Sequence, residues 1–324
     1  MPEPIRIGLV LGAGGLLGQS FHIGALEAIH ATTGFDGRNA TTIVGTSAGA
    51  GIGTFLRYGL SASDLADAYQ GLPLSDAAQA AVDLLGPPID LTGGPSMKLR
   101  TPDRELLARI RRRVREVPPL VALGAFVPDG RLSTSEYRDQ IRRFTGVSWP
   151  VAPLLICTVR RRDGRRVVFG NGRDTPVDVA DAVGASSAVP GFFAPVVLDE
   201  IEYIDGALHS PTNADVLRKH DLHFVIIMSP MTAPTLDGVS PRMMMRRHFR
   251  TRLQRELDVL QGAGIPTVVI EPSDALSDEM QGATMARERQ GEVVAATKAE
   301  VLEWLGSDSQ RFVRNTLTRA ATAT

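Results

Sequence analysis

The sequence predicts an α/β fold of three layers, a mostly parallel central sheet flanked by helices. Three observations carry that expectation. Short, largely apolar runs at residues 5–11 and 222–228 have the length and composition of strands buried on both faces. Strand, helix, strand and helix follow one another within the first 58 residues, which requires parallel pairing through right-handed crossovers. A chain of 324 residues, 43% hydrophobic and 22% charged, buries enough surface to hold such a sheet without disulfides or metals.

The first strand, 5–11, runs into a glycine-rich turn at 12–18. Phe21, Ile23, Ala25, Leu26 and Ile29 then recur at helical spacing, with Gly34 as the stop signal. A second strand at 41–45 meets a sharp turn and a helix of small residues over 47–58. Residues 60–150 read as a helical insertion capping the sheet. Within it Ser61 caps a short helix with Asp64 in its first turn, and a basic helix spans 103–116. Gly86-Pro-Pro and Thr92-Gly-Gly-Pro act as breakers. The apolar runs 154–159 and 167–169 are joined by Arg162-Asp-Gly-Arg165, a hairpin signal. A second hairpin is expected from 196–198 and 201–204, and buried strands from 222–228 and 267–270. One domain is expected over 1–290, then a C-terminal helix and a Thr/Ala-rich tail over 291–324.

Composition excludes several classes. The single cysteine, Cys157, rules out a disulfide framework and any CxxC zinc or redox motif. Thirty-five basic residues against 36 acidic ones, a net charge of −1, do not describe a chain built to coat nucleic acid. No apolar stretch reaches the ~18 to 20 residues that a bilayer span needs. The first apolar run follows Glu3 and lacks a basic leader, so it reads as a strand and not a signal peptide, and the expected location is cytoplasmic. No metal-ligand cluster is visible.

Gly45-Thr-Ser-Ala-Gly49 fits G-x-S-x-G where a strand turns into a helix. Such a turn exposes the Ser47 hydroxyl, its glycines keep Cβ atoms off the strand and helix, and the helix N-terminus favours developing negative charge. A tight turn packing small residues would read the same way. Gly12, Gly14 and Gly18 fit either a dinucleotide phosphate loop or a row of backbone donors for an oxyanion. A nucleotide site wants an acid at the end of the second strand, whereas the nearest, Asp36, precedes that strand. A nucleophilic serine also needs a base. Of the histidines, His22, His30, His209, His220, His223 and His248, none sits in an obvious base context. In Tyr203-Ile-Asp-Gly-Ala207 an apolar strand ends in Asp205, and Gly206 and Ala207 leave room for close approach, although a strand-ending Asp-Gly is also an ordinary turn.

The order glycine-rich turn, G-x-S-x-G, then Asp-Gly-Ala resembles the patatin-like phospholipase family, lipid acyl hydrolases that use a Ser-Asp dyad. Ala185-Ser-Ser-Ala-Val-Pro-Gly-Phe-Phe-Ala-Pro195 is similar to that family's A-S-x-A-x-P-x-x-F-x-P stretch. The likeness covers roughly residues 5–272, with 60–150 least matched. It implies Ser47 as nucleophile, Asp205 as general base, the N–H groups of Gly14, Gly15 and Leu16 as oxyanion hole, and no cofactor. The family's G-G-G-x-R/K-G pattern is broken by Ala13 and Leu17. Backbone donors survive both changes and a positive side chain does not, which tilts the expectation from phospholipids toward a broader range of acyl esters, lysophospholipids and acylglycerols included.

Phe192, Phe193 and Pro195 are expected to line an acyl pocket or to pack in the core. Three arginine-rich stretches, 109–115, 160–166 and 242–255, suit solvated faces. The last of them, with Met243, Met244, Met245 and Phe249, also suits an anionic membrane surface. The expected partner is a lipid or acyl-ester substrate, with peripheral membrane contact and no nucleic acid. Two alternatives stand: a catalytically idle α/β module holding lipid or nucleotide, and a Ser-His-Asp esterase with His209, His220 or His223 as base.

Overall fold

Alternation of apolar side chains along the strands builds the core from both sides of one sheet. The computed structural model describes residues 4–91, 101–113, 116–172, 177–235, 241–281 and 284–322. In chain order its elements are β1 (Ile7–Leu11), α1 (Gly15–Thr33), β2 (Thr42–Gly45), α2 (Ala48–Arg57), α3 (Ala62–Gln70), α4 (Asp76–Leu85), α5 (Arg104–Arg113) and α6 (Pro119–Gly124). Then come α7 (Ser135–Thr145), β3 (Leu154–Arg160), β4 (Arg165–Phe169), α8 (Val179–Ser186), β5 (Val196–Leu198) and β6 (Ile201–Asp205). The chain continues through β7 (Phe224–Met228), α9 (Pro241–Gly262), β8 (Thr267–Ile270), α10 (Asp274–Gln281), α11 (Gln290–Gly306) and α12 (Arg311–Thr322). All eight expected strands are present, each end within two residues of its expected position. The Thr92-Gly-Gly-Pro breaker lies outside the described residues.

The sheet runs β5-β6-β3-β2-β1-β7-β8, with β4 on β3. β3, β2, β1, β7 and β8 are mutually parallel, while β4 and β6 pair antiparallel with β3. Leu9, Leu11, Ile43, Ile156, Ile226 and Met228 face the layer of α1, α2, α8 and α11. Val10, Val44, Leu155, Cys157, Val225 and Ile227 face Leu253 and Leu260 of α9. This two-sided burial explains why the strands read as continuous apolar runs and not as alternating ones.

The register of β3 sets up the site. Thr158 to Arg160 pair with β6 as well as β4, and Ile156 pairs with β2 as well as β4. A strand has two edges, so with β4 along one of them, β2 and β6 share the other. They run toward each other along it. β2 stops at Gly45 opposite Ile156, and β6 stops at Asp205 opposite Thr158.

The insertion is held at several points. Ser61 and Asp64 form a reciprocal capping box at α3, and Arg138 and Arg142 of α7 pair with Asp181 and Asp178 at the start of α8. The basic helix expected at 103–116 is α5; residues 114 and 115 lie outside the described ones.

Two expectations change. The Thr/Ala-rich stretch expected as the tail of the C-terminal helix is itself helical to Thr322, because Val313, Leu317 and Ala320 recur at helical spacing and are buried. In α9, Phe249 and Arg246 turn inward, only 6% and 2% exposed, since this crossover helix must cover β7. Its exposed apolar side chains include Met244 and Met245. No helix among the described residues is long and apolar enough to cross a membrane.

Candidate active site

Ser47 stands on the turn between β2 and α2, with φ 54° and ψ −115°. A non-glycine residue in that region costs roughly 1–3 kcal/mol and persists only where neighbours hold it. The neighbours are identifiable. Thr46 donates its N–H to the Leu11 carbonyl at 3.1 Å, and Ser47 donates its own to Ser186 Oγ at 2.9 Å. The Ser186 hydroxyl in turn donates to the Cys157 carbonyl on β3 at 2.7 Å. A Cβ on Gly49 would fall inside the Leu11 carbonyl, so the second motif glycine is a requirement of close approach between α2 and β1.

Asp205 enters from the opposite direction and is fully buried. Its N–H donates to the Ala188 carbonyl at 3.0 Å, and its Oδ1 accepts from Ala207 N–H at 2.7 Å. Gly206 presses on the Cys157 carbonyl, where a Cβ would clash. Burial pushes the Asp205 carboxyl up to about 7, against the lowering effect of the Ala207 N–H and of the Ser47 hydroxyl beside it. Oδ2 makes no hydrogen bond of full geometry among the described residues. Contacts of this kind commonly tighten only when substrate is bound.

The glycine-rich turn after β1 lies beside the serine turn, β1 and β2 being paired. Gly12 N–H bonds Met228 O and Ala13 N–H bonds Pro211 O, while Leu17 N–H bonds Thr284 O. The N–H groups of Gly14, Gly15 and Leu16, at the start of α1, have no backbone acceptor among the described residues. Ala48 N–H, at the start of α2, has none either. Leu17, where the resembled pattern has a basic residue, is buried in the main core. His22 braces the loop from below: Nε2 donates to Gly12 O at 2.7 Å, and burial lowers its pKa to about 4.

The residue profile described as patatin-like phospholipase matches residues 9–218, well over half of the chain. The chain belongs to that family. Patatin-like phospholipases are hydrolases acting on lipid ester bonds, and lipid acyl hydrolysis is the general activity of the family. Among solved structures, VipD from Legionella pneumophila is similar with a TM-score of 0.43 at 10% identity, over 94% of this chain and 67% of that one. A search of curated sequences finds no significant match.

In this member of the family Ser47, Asp205 and the glycine-rich turn lie at one end of the sheet, and His220 and His223 at the other. The A-S-x-A segment braces both halves of the site. Ser186 holds the Ser47 backbone, and Ala188, two residues on, holds the Asp205 backbone. Sequence spacing gives Ser186 no role, because its partner is 139 residues away. Asn213, in the Pro211-Thr-Asn213 stretch that also resembles the family, has a role that sequence alone does not assign. Its Oδ1 accepts from Arg166 at 3.1 Å and its Nδ2 donates to Thr46 Oγ1 at 3.1 Å, tying the Asp-Gly-Ala loop to the serine turn. Arg166 is fixed by a bidentate pair with Asp215.

Phe192, Phe193 and Pro195 are half-buried. Phe193 packs on the main core, and its ring meets Phe192 edge-on at 5.2 Å.

The three histidines weighed as bases, His209, His220 and His223, do not serve Ser47 here. His209 accepts from Arg252 at Nε2, 3.2 Å, which leaves its proton on Nδ1 and no free lone pair. Burial and the Arg166 and Arg252 charges lower its pKa to about 3. His223 accepts from Arg6 N–H at the amino end of β1, and His220 precedes the same end of β7, so both lie across the sheet from Ser47.

Proposed function

We propose that the chain is a serine acyl hydrolase that cleaves carboxylic esters of lipids through a Ser47–Asp205 dyad and an acyl-enzyme. The observation that carries this reading is that β2 and β6 end face to face on β3, with Asp205 at the end of one and Ser47 just beyond the end of the other. Asp205 takes the hydroxyl proton as Ser47 Oγ bonds to the ester carbonyl carbon. The carbonyl oxygen gains the negative charge, and the N–H groups of Gly14, Gly15 and Leu16 receive it, each such donor being worth about 3 kcal/mol to the barrier. The C–O bond then breaks, and the leaving alcohol takes the proton from Asp205. Water attacks the acyl-enzyme with the same carboxylate as base, releasing the acid and returning the proton to Ser47. Phe192, Phe193 and Pro195 border the acyl chain in this scheme. The hydrolase unit runs over 1–290 with 60–150 as its cap and with α11 and α12 completing its main core, acting in the cytoplasm at the periphery of a membrane.

Two measurements test the reading. A fluorophosphonate should label the peptide carrying Ser47 and no other serine. On a p-nitrophenyl ester, Ser47→Ala should fall to background and Asp205→Asn by about 10² to 10⁴, while His209→Ala retains turnover. Absence of both labelling and turnover in the parent would favour the idle lipid-binding module instead.

A further inference from the structure

Among the exposed apolar side chains, two belong to a helical assembly packed under the strands β3 and β6. Leu123 and Phe126, 60% and 52% exposed, lie at the end of α6 and just beyond it. The inner face of α6 contributes Val121 to a cluster with Leu106 of α5 and with Val159 and Ile204, the neighbours of Thr158 and Asp205 in their strands. Gly124 packs on Leu208, three residues past Asp205. On the same assembly α5 exposes Arg111 and Arg112, which have no ion-pair partner among the described residues. Large apolar tips on α6 and unpaired guanidinium groups on α5, two helices that share one cluster on the sheet face opposite the Asp205 side chain, match the two layers of an anionic lipid surface, acyl chains and head groups.

The geometry points to the α5–α6 assembly as the surface by which this protein docks on an anionic membrane, with Leu123 and Phe126 entering the acyl layer and Arg111 and Arg112 meeting head-group phosphates. The choice of a lipid surface rests on the lipid-ester reading above, whereas docking itself does not require turnover. The face differs from α9, whose Phe249 is committed to the core. Val151, just before β3 and wholly exposed, lies at the opposite end of the sheet and takes no part.

The test is co-sedimentation with vesicles of diether phosphatidylcholine and diether phosphatidylglycerol, which carry no ester to cleave. Joint Leu123→Asp and Phe126→Asp replacement should weaken partitioning about tenfold or more. Arg111→Ser with Arg112→Ser should remove most of its dependence on phosphatidylglycerol and on salt. Val151→Asp should change nothing. An environment-sensitive fluorophore on Phe126→Cys, with Cys157 buried and unreactive, should shift to the blue on adding vesicles, and the same probe on Val151→Cys should not. Ser47→Ala should dock as the parent does, so that lost hydrolysis and lost docking remain separate results. The proposal is overturned if the parent ignores anionic vesicles, if the Phe126 probe stays unshifted on sedimenting protein, or if Met244→Asp on α9 abolishes binding while the Leu123 and Phe126 replacements do not.

Discussion

Burial holds the Asp205 carboxyl protonated up to about pH 7, and the proposed chemistry needs it as a carboxylate. kcat/KM on a soluble ester should therefore rise about tenfold per pH unit below that value and level off above it. A flat profile from pH 5 to 8 would contradict an Asp205 base. The same shift acts on stability. The folded pKa lies above the unfolded one, so the contribution of the bound proton is complete below about pH 4 and is lost as pH rises through about 7. Full ionisation costs roughly 3–5 kcal/mol by that difference. Asp205→Asn, uncharged throughout, should melt higher than the parent at pH 8, with the gap closing near pH 4. Calorimetry at the two pH values decides it. Ser47 and Asp205 are both legible in the sequence, because a strained serine turn and a strand-ending Asp-Gly-Ala each leave a local signature. The pKa is not legible, since it depends on what covers the carboxyl.

The Ser186–Ala188 segment braces the serine turn and the end of β6, whose spacing the register on β3 also sets. Ser186→Ala removes the acceptor of the Ser47 N–H, and the turn then loses one of its restraints. The expected result is a 10- to 100-fold fall in kcat with KM within a few-fold of the parent, since the segment aligns the nucleophile and does not touch the ester. Ser186→Thr, which keeps the hydroxyl, should restore part of it. Gly49→Ala and Gly206→Ala are a different class: each drives a Cβ into a backbone carbonyl, and a loss of about 3 kcal/mol or more, or failure to fold, is expected in a urea titration. The strands are readable because two-sided burial writes itself as apolar runs. The orientation of α9 is not, because Arg246 and Phe249 lie within a run of arginines and methionines that carries no clean helical stripe. The last helix is hidden by its threonine and alanine content, although Val313, Leu317 and Ala320 keep the spacing that buries it.

At the scale of the whole molecule the proposed dyad is closed. Ser47 is 8% exposed and Asp205 0%, while an acyl ester must bring several carbons to Oγ. Opening at the rim therefore limits access, and fluorophosphonate labelling of Ser47 should be slow in buffer and several-fold faster with vesicles present. Mass spectrometry of timed samples measures it, and equal rates would place the limit elsewhere. The family assignment and the three-layer fold are legible from four ordered motifs. The way the insertion embraces α8 and the Asp205 loop is not, because it depends on contacts such as Arg142 with Asp178 and Gly124 with Leu208, which join segments with no shared pattern.

The arrangement of β2 and β6 along a common edge of β3 makes turnover a gauge of register. A slip of β6 by a single residue would carry the Asp205 side chain to the other surface of the sheet, leaving the serine turn intact and inert. Circular dichroism would barely notice such an error. Ester cleavage during refolding would, so the return of activity dates the moment at which this one antiparallel pairing locks into place.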